Sequence, residues 1–218
     1  MRHSFIFRLL LCIGLFAPAA QAQVPAEVSD VMNKCRAAMS NPAGVEYEMD
    51  MKGGMGPLSM KMHFVVANKG NLKRTLLTTK IMGIEVKTET GFDGTDTWEI
   101  DYSSGHDTIT FTPGDVNVKK SGEDALNLDL DHQYRKASMK LKDGYYEIVF
   151  SDPVDKSVEM KKVTVTISAK NYVMRELRGG ARGAKVNMTV TKIHVGLKDS
   201  HFKLNLADYP NAVVIRNK

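Results

Sequence analysis

The sequence predicts an α+β protein that is mostly antiparallel β. The expected shape is a curled, incompletely closed β-barrel of about ten strands, with an N-terminal lid helix and a short middle helix. Three observations carry this. A single apolar stripe at helical spacing opens the chain after residue 25. From Val45 onward the apolar period switches to two. Turn signals then recur at short intervals almost to the end. One sheet of that width must curl, and its concave apolar face needs a cover.

The first residues read as a targeting segment. Arg2, His3 and Arg8 precede an apolar run from Leu9 to Ala20, and Ala20-Gln21-Ala22 is a small-x-small cleavage signature. Residues 1–22 are expected to be a secretory signal peptide, cleaved after Ala22 and leading to the periplasm. Cys12 lies in the middle of the apolar run, where a lipoprotein signal would need it at the end. Residues 23–218 then form a single domain. Losing Arg2 and Arg8 lowers the net charge from +5 to +3, too mild to predict nucleic acid as a partner. Cys35 is left without a cysteine to pair with, and a lone thiol in an oxidising compartment is best buried.

Pro25 suits a helix start and Glu27 its first turn. Val28, Val31, Met32, Cys35 and Met39 then share one face, and the helix ends near Ser40, before Asn41-Pro42. Val45, Tyr47, Met49 and Met51 alternate with charged residues, and Leu58, Met60, Met62, Phe64 and Val66 alternate again. The pair reads as an antiparallel hairpin around Gly53–Pro57. Further strands are expected over 72–80, 84–90, 97–102 and 108–112, that over 97–102 placing Trp98, Ile100 and Tyr102 on one face. Residues 113–136 are the least strand-like; Leu126, Leu130 and Tyr134 suit a short helix, while Leu126, Leu128 and Leu130 also suit a strand, and the helix is favoured. Strands resume over 145–150, 161–169, 172–178, 185–195 and 202–206. Lys170-Asn171 makes a tight turn, and Arg178–Gly183 a looser one.

No catalytic constellation stands out, and an enzyme is not expected. There is no Gly-x-Ser-x-Gly elbow, phosphate loop or dinucleotide fingerprint. No cofactor is implied. Asp129, Asp131 and His132 are better read as the wet face of a short helix than as metal ligands. Methionine is the unusual feature, since Met49, Met51, Met55, Met60 and Met62 fall within 14 residues. Thioethers select copper(I), but the alternation spreads these sulfurs over an apolar surface and turns His63 the other way. The competing readings are ordinary core and an adaptable ligand pocket. The pocket is favoured, because well-packed cores prefer Leu, Ile and Val.

Two local patterns carry a family resemblance. One is Val66-Ala67-Asn68-Lys69-Gly70-Asn71-Leu72-Lys73-Arg74, a strand ending in a basic residue and a turn. The other is Asp93-Gly94-Thr95-Asp96-Thr97-Trp98-Glu99-Ile100. With the signal peptide, the single helix and the strand order to Ile215, the chain resembles the periplasmic outer-membrane lipoprotein carrier family, the LolA-like proteins. The resemblance implies a periplasmic carrier that shields the acyl chains of lipoproteins or related lipids during transfer toward the outer membrane. It also implies an inner-membrane donor complex and an outer-membrane acceptor. Tyr47, Met49, Met51, Met60, Met62, Phe64, Trp98 and Ile100 would line the acyl cavity, and Val28, Val31, Met32, Cys35 and Met39 would be the lid's inner face. Where the family has an Arg and then Pro, this chain has Lys69-Gly70. Lys69 is therefore the candidate latch, with a single ammonium in place of a planar fork. The alternative is a non-catalytic envelope interaction or sensor module on the same fold, with a filled core and no transported cargo.

Overall fold

A computed structural model describes residues 24–55, 58–81, 84–102, 106–115, 128–156, 160–181 and 184–217. The expected signal peptide, Leu126 and the turns at residues 56–57, 82–83 and 182–183 lie outside them. The elements in order are α1 (Ala26–Met39), β1 (Val45–Met55), β2 (Leu58–Lys69), β3 (Leu72–Ile81), β4 (Ile84–Phe92), β5 (Asp96–Asp101) and β6 (Thr108–Pro113). Then come α2 (Leu130–Gln133), β7 (Tyr134–Lys142), β8 (Tyr145–Pro153), β9 (Lys162–Ser168), β10 (Met174–Ala181), β11 (Ala184–Val195) and β12 (Val213–Arg216). No described helix is long and apolar enough to cross a membrane.

All the strands form one sheet in the order β12-β6-β5-β4-β3-β2-β1-β11-β10-β9-β8-β7. Every neighbouring pair is antiparallel except β12 with β6, which is parallel. The ends of the order do not pair, so the barrel is incomplete. Ten of the expected strands are present. The expected strand over 202–206 is replaced by short 3-10 turns at Asp199–Phe202 and Leu206–Asp208. Strands β7 and β12 were not foreseen, and β10 runs on through Gly179 and Gly180, where a loose turn was expected. The middle helix shrinks to the single turn of α2.

The sheet is covered on both faces. On the inner face α1 presents Val28, Val31, Met32, Cys35 and Met39 to Tyr47, Met49, Phe64, Ile148, Phe150, Val163, Val165, Ile167 and Met174, all buried. Arg36 fixes the helix sideways: its guanidinium donates to the Asp131 carboxylate at 2.7 Å and to the Leu128 carbonyl at 2.9 Å. On the outer face, residues 197–212 lie across β2 to β6. Their Phe202 and Leu197 pack on Ala67, while Leu204, Tyr209 and Ala212 cover Trp98, Ile100, Ile109 and Phe111.

Candidate functional site

Directly paired residues of an antiparallel ladder share a face, so the register places every expected site residue. On the inner face Met49 opposes Phe64 and Met51 opposes Met62, while Gly53 opposes Met60. Across the other neighbour, Met49 and Met51 oppose Val190 and Met188. Tyr47, Met49 and Phe64 are buried directly beneath α1. Met51 and Met62 are half-buried beyond it, and Met60 is 42% exposed. The methionine row thus starts in the core and ends at an open rim.

Trp98 and Ile100 are elsewhere. Phe64 opposes Leu77, Leu77 opposes Thr88, and Thr88 opposes Asp101. Asp101 therefore shares the methionine face, and Trp98 and Ile100 point to the outer one. They pack under the C-terminal segment, and the indole N–H donates to the Phe202 carbonyl at 3.2 Å. The expectation that they line the same cavity as the methionines is corrected by this register. The inner face of β3 to β6 instead carries Thr75, Thr79, Thr88, Thr90, Thr97 and Thr110 among a few apolar residues, Leu77, Val86 and Phe92, so it is more polar than the face of β1 and β2.

Lys69 is corrected in the same way. It opposes Leu72 on the outer face, away from α1. Its ammonium donates to the Leu197 carbonyl at 2.9 Å and pairs with Asp199 at 2.8 Å. It fastens the C-terminal segment rather than the helix. Arg74 and His201 add to that fastening. Arg74 pairs with the buried Glu89 at 2.6 Å and donates to the His201 carbonyl at 3.1 Å, while the His201 ring meets Glu46 at 2.7 Å.

The residues under α1 are buried. Burial pushes the Cys35 thiol up to about 12, despite the neighbouring Met174 backbone and Arg36 charge, so it is protonated and unreactive at neutral pH. Burial likewise pushes the Tyr47 phenol up. Burial also works to raise the Asp131 carboxyl, but the hydrogen bond and charge of Arg36 outweigh it and hold that group below the usual carboxylate range. Asp129, Asp131 and His132 do gather their polar atoms. The Asp131 oxygens already accept from Arg36 at 2.7 and 3.2 Å, so the cluster is an anchor for the helix rather than a vacant ligand set.

Two features escaped sequence reasoning. Arg36 belongs to no motif, although a charged residue beside the apolar stripe of α1 is what a fixed cover needs. Phe202, Leu204 and Leu206 alternate like a strand, which hides the role of Phe202 and Leu204 as a cover.

No protein-family model matches the chain, and no curated protein matches it in sequence. Solved structures do. An uncharacterized conserved protein from Thermus thermophilus superposes with a TM-score of 0.52 at 11% identity, covering 88% of this chain and 99% of that one. A LolA superfamily protein from Nitrosomonas europaea gives 0.38 at 11% identity, covering 81% and 97%. The Pseudomonas aeruginosa MucA/MucB complex gives 0.47 at 9% identity, covering 83% and 62%. The first likeness shows a shared fold and nothing of function, and the other two fall below the level at which a likeness carries an argument.

Proposed function

We propose that the chain is an exported, non-catalytic interaction module of the bacterial envelope, which binds a partner and carries no cargo. The observation that supports this reading is the filled inner face. Val28, Met32 and Cys35 of α1 and Met49, Ile148, Phe150 and Val165 of the sheet are all fully buried against one another. An acyl chain in that space would have to displace a packed helix, and Arg36 with Asp131 resists the displacement. The expected leader and the open sheet covered by a helix agree with an envelope location.

The lipoprotein carrier is kept as a second reading because of one feature, the half-exposed end of the methionine row at Met51, Met60 and Met62. Adaptable thioethers at an open rim suit an acyl chain. An apolar fluorescent probe tests both readings together with alkylation of Cys35. The interaction module neither brightens the probe nor exposes the thiol when acyl-peptide is added. Brightening of the probe, with faster Cys35 alkylation in acyl-peptide, would replace it with the carrier. In that event Met62→Glu abolishes the binding while the fold survives.

A further inference from the structure

The sheet is split between β10 and β11. Their ladder runs from Ala181↔Ala184 only as far as Glu176↔Thr189. Beyond that point β11 continues against β1 alone, and β10 turns against β9 alone. Both departures are bulges. Met49 opposes Val190 while Glu48 opposes Lys192, which leaves Thr191 as an extra residue. Met174 opposes Ile167 while Glu176 opposes Thr166, which leaves Arg175 as another. Both extra residues line the gap that opens where the ladder ends. The cleft between them measures about 280 Å³.

Its lining is mixed. Val173, Met174 and Val190 are apolar, Ser168, Asn171 and Thr191 are polar, and Arg175 and Lys192 are cationic. Lys192 is held by both oxygens of Glu48, at 2.9 and 3.1 Å. Arg175 is exposed and makes no ion pair among the described residues. Ile193 stands 36% exposed beside the opening. A stretch of β11 with no strand on one side, a partly apolar lining and an exposed guanidinium with no ion-pair contact are together the parts of a peptide-binding edge. Backbone bonds supply affinity there, and the side chains select the sequence.

We infer that this cleft docks an extended peptide segment bearing a carboxylate, which adds as a strand to β11 at residues 190–193 and places its acid on Arg175. The inference rests on the interaction-module reading and names its site. A planar guanidinium can hold a carboxylate through two hydrogen bonds. The small volume fits a short segment of a partner and excludes a folded element.

The test begins with a phage-displayed library of random seven-residue peptides, selected on the purified protein. The enriched peptides are expected to carry Asp or Glu among β-branched residues. Arg175→Glu, a change at an exposed site, should weaken them at least about tenfold. Amide shifts on binding should centre on Arg175 and residues 190–193. Thr191→Trp, which fills the cleft from its other wall without adding charge, should weaken them as well. Binding unaffected by Arg175→Glu, or shifts centred elsewhere, overturns the cleft and leaves the interaction module standing. An empty selection overturns the cleft too. Combined with probe entry and Cys35 exposure, it overturns the module as well.

Discussion

Gly91 and Trp98 oppose each other on β4 and β5. A Cβ on Gly91 would stand 2.3 Å from Trp98 Cζ2, so the indole already fills that space. Gly91→Ala should therefore destabilise by about 1–3 kcal/mol through overpacking. Urea unfolding measures that cost, and Trp98 as the single tryptophan reports the displacement as a red-shifted emission. Asp131 makes the second prediction at this scale. Removing its charge leaves a partly buried Arg36 without its acid, at a cost of about 3 kcal/mol. For a domain of this size that is a fall in Tm of roughly 6–12 °C. The sign with pH follows from the lowered carboxyl. Its contribution is complete above about pH 4, the ordinary Asp value, and is lost as the pH falls through the lowered one. Thermal melts from pH 7 to pH 2 should show an acid limb in the natural chain that is shallower in Asp131→Asn.

The two covers differ in kind. The inner one is a helix held by apolar burial and one ion pair. The outer one is a segment without a ladder, held by Lys69, Arg74, His201 and the Trp98 indole. Iodoacetamide should label Cys35 slowly in the native protein and fully in denaturant, because the thiol is both protonated and covered. Deleting residues 197–217 should leave α1 in place and expose Trp98. Emission should move to the red while Cys35 labelling stays slow. This is also the scale at which the sequence misled. Alternation within β1, β2 and β5 was plain, and α1 was legible from its stripe. Alternation says which residues share a face within a strand, but its phase is lost at each turn. Trp98 and Lys69 were given the inner face because one cover was expected. The sheet has two, so both phases bury apolar residues. The bulges at Thr191 and Arg175 carry no composition signal, since neither residue is unusual in a strand.

At the scale of the molecule the sheet has two edges and one internal split. The β7 edge carries Arg135, Lys136, Lys140 and Lys142, charges that discourage pairing with a stray strand. The β12 edge relies on brevity. It has four residues, three of them exposed and apolar, and Arg216 lies over the Phe111 ring at 4.5 Å. Val214→Lys should lower self-association at high protein concentration, measured by sedimentation, and leave the melting temperature unchanged.

The parallel rung of β12 on β6 joins Val213 to Thr108, so the strand that finishes the sheet is made after every other described strand. Synthesis proceeds from the N-terminus. Until residues 213–216 arrive, β6 is itself a bare border and the outer cover has no terminal anchor. Assembly can start from the β1–β2 hairpin while the chain is still emerging. It can close only once β12 has been made, which puts a delay between the first hairpin and the finished sheet.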